Sequence, residues 1–381
     1  MSDFLRPLAE LRQRHSSKWR RFAPDVLPMH VAEMDYEIAP QIQNLLVDFV
    51  QRSDLGYLGP IPELNEAFVA FAQRHWNWTP DAKQIRIATD VSVGSVEVLR
   101  VLGKPGDRVL INSPVYGAFY GWLKEVGMVA HDVPLVADLE TWRLDIPGIE
   151  RAFQDGVKLY LFCSPHNPMG RVHDRTELEA IAELAQRYGV VVISDEIHAP
   201  LTYEDQVFTP WLAVSDAARE TGVVVTAASK SFNLAGLKAS IIVTQSATMA
   251  NRLKDVPPDL HWRSSILGGF AMVEAFANCD DWLAKAVATN RANRDLLTRL
   301  VSEKLPGVSY WVAQGGYLAW LDLSSLNLGE NPAGRILEEK RISLVPGTDL
   351  GADYPQYVRI NFATSAESIE RTIDAIASYL N

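Results

Sequence analysis

Between residues 85 and 244 the sequence alternates short runs of β-branched residues with amphipathic stretches of helical length. Some short runs, such as residues 190–193, are apolar at every position rather than at every second one. A strand needs apolar side chains on both faces when helices cover both sides of a parallel sheet. We therefore predict that the middle of the chain is a large α/β domain built around such a sheet.

The pattern predicts seven strands in this region, at residues 85–88, 108–112, 128–133, 158–163, 190–194, 223–227 and 240–244. Helices are predicted between several of them, at residues 92–102, 115–126 and 175–188. The stretch before about residue 40 reads as an irregular arm, and Pro62 is expected to begin a helix because proline is favoured in the first turn.

The last part of the chain is predicted to be a smaller α+β unit. It contains strand patterns at residues 316–323 and 358–362, a helix near 332–340 and a final helix. We expect residues 1–50, the arm and the first helix, to belong to this small domain together with 286–381. Residues 51–285 then form the large domain.

Composition narrows the possible functions. The 47 acidic residues outnumber the 36 basic ones and give a net charge of −11, which disfavours nucleic acid and anionic membranes as partners. No apolar run approaches ~18 residues, so no membrane span is expected. The two cysteines, Cys163 and Cys279, are too few for a disulfide framework, which favours a reducing cytoplasm.

The motifs of several enzyme classes are missing from the sequence. There is no Gly-x-Gly-x-x-Gly after a strand, no Walker motif, no His-Glu-x-x-His and no Gly-x-Ser-x-Gly. The eight histidines show no spacing typical of zinc ligands, so no metal is expected. An α/β enzyme of this size that lacks these motifs often takes its chemistry from an organic cofactor.

Polar segments follow three neighbouring strand patterns, at residues 164–171, 194–198 and 228–233, and a fourth lies at 358–362 near the C-terminus. Ligands of open parallel sheets bind outside the carboxyl ends of the strands. One pocket can therefore collect Asn167, Asp195 and Lys230, with Arg359 from the fourth segment.

These residue types are the ones that pyridoxal phosphate needs. A lysine amine condenses with the cofactor aldehyde, a carboxylate keeps the pyridine nitrogen protonated, an amide holds the ring hydroxyl and an Arg fork takes the substrate carboxylate. Each residue alone has a simpler explanation: Asp195 as a helix cap, Lys230 as a surface lysine, Asn167 as turn chemistry and Arg359 as an ion-pair partner. The functional interpretation depends on their joint occurrence, in this order, at strand ends.

The order Asn-Pro-x-Gly, Asp-Glu, Ser-Lys and a C-terminal Arg resembles the fold-type I pyridoxal-phosphate enzymes of the class I/II aminotransferase group. Segments 28–35, 164–168, 195–198 and 229–233 are similar to those of the MalY/PatB-type carbon–sulfur β-lyases. The resemblance spans nearly the whole chain. It implies a mostly parallel seven-stranded sheet in an α/β/α sandwich, a smaller α+β domain, and a homodimer with active sites at the subunit interface.

The resemblance also implies roles for individual residues. Lys230, Tyr116 and Asp195 would be the catalytic residues: Lys230 bonds to the cofactor and moves the α-proton, Tyr116 stacks on the ring, and Asp195 pairs with the ring nitrogen. Asn167 would bond the ring hydroxyl and contact the substrate. Arg359 would hold the substrate α-carboxylate.

The cofactor phosphate would be held by residues from both subunits. Val91 and Ser92 begin a predicted helix whose positive end attracts an anion, and Ser229 and Lys238 would join them. Tyr57 would reach the phosphate and the substrate of the neighbouring subunit.

Three positions depart from the common aminotransferase pattern. His198 stands where a Tyr is common, which favours the lyase branch, and it would be a further contact to the cofactor. Ala227 stands where a phosphate-binding Ser or Thr is usual, and Lys238 stands where Arg is frequent. Phosphate binding is therefore expected to depend more on backbone amides and on Tyr57.

The activity implied is α,β-elimination from L-cystathionine or related cysteine S-conjugates, which gives pyruvate, ammonia and a thiol. From cystathionine the thiol is homocysteine, a step of methionine biosynthesis. Two alternatives stay open: transamination by the same site, and a pyridoxal-phosphate protein that acts mainly as a regulatory binding partner.

Overall fold

The centre of the protein is a seven-stranded sheet. The computed structural model describes residues 4–138 and 141–380. The strands lie side by side in the order Ile85–Ala88, Ser240–Val243, Gly222–Thr226, Val191–Asp195, Leu159–Cys163, Arg108–Ile111 and Val129–Asp132. Ser240–Val243 runs antiparallel to both of its neighbours, and the other adjacent strands are parallel. The mostly parallel seven-stranded sheet predicted from the sequence is confirmed.

The three central strands are buried along their whole length, as the fully apolar runs require. Two groups of helices pack on them. Helix Val91–Leu102 packs on strands Val191–Asp195 and Gly222–Thr226 and against helix Ala118–Glu125. The second group contains helices Ile146–Gln154, Arg175–Tyr188, Trp211–Val214 and Asp216–Thr221.

The predicted helix at residues 115–126 is shorter than expected and runs over Ala118–Glu125. The Val115 amide donates to the Leu350 carbonyl at 2.9 Å, so this residue lies against a loop of the small unit. A Cβ at Gly117 would overlap the carbonyl oxygen of Asp349, so this close approach of two loops requires a glycine. Tyr116 therefore lies in a loop ahead of the helix.

A smaller antiparallel sheet follows in the order Ser309–Tyr310, Leu318–Asp322, Tyr357–Asn361 and Val345–Pro346. Its helices are Asp280–Lys304, Pro332–Lys340 and Ala366–Ala377. The N-terminal arm joins this unit because strand Leu27–Pro28 pairs in parallel with Ile342–Ser343. The division at residues 50 and 285 stays a prediction; the second of these positions falls inside helix Asp280–Lys304.

The remaining helices lie in the arm and around the edge of the large sheet. They are Leu8–Leu11, Ser17–Arg20, Pro40–Gln51, Pro62–Trp76, Ala247–Arg252, Asp259–Trp262 and Ile266–Asn278. A short ribbon pairs Val136–Ala137 with Trp142–Arg143. Within residues 4–138 and 141–380, no helix is long and apolar enough to cross a membrane, and no cluster of three metal-ligating side chains occurs.

Candidate active site

A cavity of about 830 Å³ opens at the carboxyl ends of the central strands, between the large sheet, the arm and the small sheet. Its volume falls in the range of about 300–1,000 Å³ that is common for ligand sites. The structure brings every site residue proposed from the sequence into its lining except Tyr57: these are Val91, Ser92, Tyr116, Asn167, Asp195, His198, Ser229, Lys230, Lys238 and Arg359.

Lys230 lies in the loop after strand Gly222–Thr226, and its Nζ donates a hydrogen bond to the carbonyl oxygen of Ala32 at 2.9 Å. Burial, followed by the nearby charge of Arg359, lowers the pKa of this amine to about 8. The charges of Glu33 and Asp195 offset part of this shift. A sizeable fraction of the amine is therefore neutral near pH 8, as a nucleophile or a base must be.

Asp195 ends strand Val191–Asp195 and is only 4% exposed. Its carboxylate accepts one hydrogen bond, from the amide of Ile197 at 3.1 Å. Burial raises the pKa of this carboxyl group to about 7, and the charge of Lys230 only partly opposes the rise. Among the described residues no Lys, Arg or His forms an ion pair with it. The site therefore holds a buried acid that a cationic ligand atom would stabilise.

Arg359 and Asn167 form the opposite wall of the cavity. Arg359 is buried on strand Tyr357–Asn361; its Nη1 donates to Oδ1 of Asn167 at 3.1 Å and its Nη2 donates to the His30 carbonyl at 3.0 Å. The buried Nε has no partner among the described residues. Because the Asn167 oxygen faces the guanidinium, the NH₂ group of the same amide is left to donate elsewhere.

The end of the cavity near helix Val91–Leu102 suits an anion. Backbone amides at the start of a helix carry partial positive charge and bind phosphate groups. Asp90 caps this helix by accepting the Val93 amide at 2.8 Å, and Lys238 Nζ lies 2.9 Å from the other carboxylate oxygen of Asp90. Asp90 was missed from the sequence, although an acidic residue directly before a helical pattern is a common cap.

Two rings complete the inner wall. Tyr116 is half-buried, with its ring centroid 6.0 Å from that of Trp122, and burial raises the pKa of its hydroxyl group. His198 is buried, and burial together with the charges of Lys230 and Arg359 lowers its pKa to about 3. His198 is therefore neutral at physiological pH and offers the cavity one donor and one acceptor.

The arm closes one side of the cavity with its segment 30–34, part of the stretch 28–35 on which the resemblance rests. The contacts of this segment were not predicted from the sequence. The Ala32 carbonyl accepts from both Lys230 and the Tyr317 hydroxyl, the latter at 3.2 Å. The Val31 and Glu33 carbonyls accept from the amide of Asn361 at 2.6 and 2.8 Å. The backbone of the arm is thus tied to both the large and the small sheet.

Tyr57 stands apart from the cavity. Its side chain is 85% exposed and lies in the segment between helices Pro40–Gln51 and Pro62–Trp76. Tyr57 is expected to reach the cofactor phosphate and the substrate of a second subunit, and this role stays a prediction.

The cavity fits the cofactor that the resemblance implies. The buried Asp195 carboxyl group lacks a cationic partner among the described residues, and a protonated pyridine nitrogen is such a partner. Burial lowers the pKa of the Lys230 amine from 10.5 to about 8, so a fraction of it is neutral at physiological pH. The lining also contains the start of helix Val91–Leu102 and the cation Lys238, which suit a phosphate group.

Comparisons with known proteins agree with this geometry. The sequence profile of the family described as "Aminotransferase class I and II" matches residues 25–376. A cystathionine beta-lyase of Corynebacterium glutamicum is 32% identical over 98% of this chain and 99% of its own length. The cystathionine beta-lyase PatB of Bacillus subtilis is 29% identical over 94% of this chain and 93% of its own.

A solved structure shares the complete fold. The protein of Corynebacterium diphtheriae assigned as a PLP-dependent beta-cystathionase superposes with a TM-score of 0.94 at 29% identity. The match covers 99% of this chain and 98% of that one. The arrangement of the large sheet, the small sheet and the arm is therefore common to both proteins.

Proposed function

This chain belongs to the aminotransferase class I and II family and to its MalY/PatB-type branch, and we propose that it is a pyridoxal-phosphate-dependent carbon–sulfur β-lyase. Its substrates are L-cystathionine or related cysteine S-conjugates. The observation that carries the proposal is one cavity in which the Lys230 amine, the buried Asp195 carboxyl group and the Arg359 guanidinium all line the wall. Two relatives that match this chain over more than nine-tenths of their length carry the name cystathionine beta-lyase.

When bound, pyridoxal phosphate supplies an electron sink for the charge left on the substrate α-carbon. Lys230 would hold it, Asp195 would face its ring nitrogen, and Tyr116 would cover its ring. Asn167 and His198 would contact its ring hydroxyl. The phosphate would be held by the helix start at Val91 and Ser92 together with Ser229 and Lys238.

Arg359 holds the substrate α-carboxylate by charge-assisted hydrogen bonds and thereby fixes the α-carbon next to Lys230. The neutral Nζ of Lys230 removes the α-proton. The resulting ammonium group donates to the Ala32 carbonyl, which lies 2.9 Å away. Proximity and orientation, rather than unusual basicity, are the main contributions of these residues.

The bond between the β-carbon and sulfur then breaks, and the electron pair leaves with the sulfur. Thiols have a pKa of about 8.5, so a thiolate is a tolerable leaving group at neutral pH. It takes up one proton to become the free thiol. Water hydrolyses the released enamine to pyruvate and ammonia, which balances the reaction without an oxidant or a second amino acid.

We further propose a homodimer in which Tyr57 reaches the site of the second subunit. Tyr57 is 85% exposed, and Leu55 and Trp262 are 55% and 56% exposed. His261 bonds to the Leu58 carbonyl at 3.1 Å, so the two segments that carry these apolar side chains are neighbours. Exposed apolar patches of this kind favour contact with a protein partner. Sedimentation of the purified protein should give twice the mass of one chain.

A cytoplasmic location and a role in methionine biosynthesis are part of the same proposal. Both cysteines are buried free thiols, as expected of a protein from a reducing compartment. Homocysteine, the thiol that cystathionine would release, is the direct precursor of methionine.

Turnover without a second amino-acid substrate tests the activity. The purified protein, supplied with pyridoxal phosphate and cystathionine alone, should release pyruvate and homocysteine in equal amounts. A reaction that stops after one turnover and proceeds only when a keto acid is added would instead assign the site to transamination. Saturable binding of cystathionine with no product would favour the regulatory alternative.

A further inference from the structure

The outer part of the cavity is built differently from its inner part. Part of the lining is apolar and is contributed by Phe22 from the arm, Leu337 from helix Pro332–Lys340, and Leu344 and Leu350 from the small unit. Leu344 and Leu350 are buried and Phe22 is half-buried. Such a passage suits a chain of methylene groups and a thioether sulfur.

Two opposite charges lie in the lining next to these apolar side chains, since Arg21 directly precedes Phe22 and Asp349 directly precedes Leu350. Arg21 and Asp349 are both exposed members of the cavity lining. Within the described part of the chain neither forms an ion pair. Two other basic side chains in this region are paired: Lys18 contacts Asp35 at 2.8 Å, and Arg341 contacts Asp25 at 2.7 Å.

Both charges affect the pKa of groups that line the cavity. Burial, followed by the charge of Arg21, lowers the pKa of His30, another lining residue, to about 4. Burial lowers the pKa of Arg359 to about 10, and the negative charge of Asp349 is among the influences that oppose this decrease. Arg21 and Asp349 therefore act on the space that a bound substrate fills, although they lie at its exposed end.

We propose that Arg21 and Asp349 form a distal subsite that binds the carboxylate and the ammonium group at the far end of the leaving group. This inference rests on the proposed function and names its preferred substrates. These are conjugates whose thiol half carries its own amino-acid head, such as cystathionine, rather than simple S-alkyl cysteines. The guanidinium group of an Arg donates paired hydrogen bonds to a carboxylate, and an Asp carboxylate without an ion-pair partner accepts hydrogen bonds from an ammonium group.

The contacts are remote from the bonds that break, so they are equally strong in the ground state and in the transition state. Their loss should raise KM and leave kcat almost unchanged. Because both side chains are exposed and screened by solvent, each should contribute only about 3- to 10-fold in affinity.

Binding of unreactive analogues tests the subsite without relying on turnover. The holoenzyme is titrated with 2,7-diaminosuberate, in which a methylene replaces the sulfur of cystathionine, and with 2-aminooctanoate, which lacks the distal charges. The wild-type holoenzyme should bind 2,7-diaminosuberate more tightly than 2-aminooctanoate. Arg21→Gln and Asp349→Asn should each weaken binding of 2,7-diaminosuberate about 3- to 10-fold and leave 2-aminooctanoate unaffected. Arg20→Gln is the matched control, because Arg20 is the exposed neighbour of Arg21 and does not line the cavity.

Turnover gives the second measurement. KM for cystathionine should rise in Arg21→Gln, while the kinetics with S-methyl-L-cysteine stay as in wild type. Equal binding of both analogues by wild type, or equal effects of Arg21→Gln and Arg20→Gln, would overturn the subsite. Selective analogue binding without thiol release would instead leave the subsite intact and contradict the proposed lyase activity.

Discussion

The Nζ of Lys230 lies 2.9 Å from the carbonyl oxygen of Ala32, a residue 198 positions earlier in the chain. The Tyr317 hydroxyl, from the small unit, donates to the same oxygen at 3.2 Å. One backbone carbonyl of the arm thus joins the large sheet, the small sheet and the candidate catalytic amine. The position of the arm should therefore affect both the stability of the fold and the position of Lys230.

Asn233 is the main side-chain anchor of the arm next to Lys230. Its amide accepts from the Met34 backbone N–H at 3.0 Å and donates to the Met34 carbonyl at 2.9 Å. It also has a positive φ of 60°, which Asn tolerates better than most residues. We expect Asn233→Ala to lower the free energy of unfolding by about 2–3 kcal/mol, through two lost hydrogen bonds and added strain.

Asn327→Ala is the matched control for that experiment. Asn327 also has a positive φ, 52°, but it is exposed and its side chain makes no hydrogen bond to any described residue. This control should lose only the strain contribution, about 1 kcal/mol. Urea denaturation of both variants measures the difference; equal losses would contradict the role of Asn233 as an anchor.

The pH dependence of stability should report on Asp195. Burial raises its pKa from 3.8 to about 7, so the folded protein binds this proton more tightly than the unfolded chain does. Its contribution to stability is complete below pH 4 and is lost as the pH rises towards and through 7. In the cofactor-free protein, Asp195→Asn should make the decline in Tm between pH 5 and 8 shallower.

An exposed residue provides the comparison for Asp195. Asp353→Asn removes a carboxylate of the same type from the surface and should leave the pH dependence as in wild type. Identical slopes for wild type and Asp195→Asn would mean that the buried carboxyl group is already ionised at pH 5, contrary to this account.

Lys238 should act mainly on the cofactor phosphate, although its charge is also among the minor influences on the pKa of Lys230. It is the cation beside the start of helix Val91–Leu102 and is paired with Asp90 at 2.9 Å. Because 56% of its side chain is exposed, we expect Lys238→Met to weaken binding of pyridoxal phosphate by about 10-fold, near the lower limit for a charged hydrogen bond. Absorbance titration of the cofactor-free protein measures this change.

Pyridoxal, which lacks the phosphate, is the matched ligand. Its affinity should change much less than that of pyridoxal phosphate in Lys238→Met, because only the minor influence of Lys238 on the Lys230 amine is lost. A surface change such as Lys254→Met should affect neither ligand. If Lys238→Met weakens both ligands equally, the lysine acts on the shape of the cavity rather than on the phosphate.

The strands and the main site residues could be predicted because their signals are local. A run such as residues 190–193, apolar on both faces, is typical of a strand covered on both sides, and a polar residue directly after it lies at the carboxyl end of a parallel sheet. That reasoning brought Asn167, Asp195 and Lys230 to one cavity. Asp90 could also have been predicted, because the residue that caps a helix directly precedes it in the sequence.

The arm segment and the outer cavity could not be predicted, because their contacts are set by tertiary packing. The Ala32 carbonyl meets Lys230 only through the docking of the arm, and no side-chain pattern marks a backbone acceptor. Helix Ala118–Glu125 begins later than predicted, and residues 115–117 instead pack against the distant loop at Asp349 and Leu350, a tertiary contact. The role of Tyr57 as a contact to a second subunit stays a prediction.

Reductive labelling of the holoprotein is the most direct test of the central claim, that the amine of Lys230 bonds to pyridoxal phosphate. The yellow protein is reduced with borohydride, digested, and the modified peptide is identified by mass spectrometry. We predict a single phosphopyridoxyl group on Lys230. A protein that takes up no label, or that carries it on another lysine, would contradict the account.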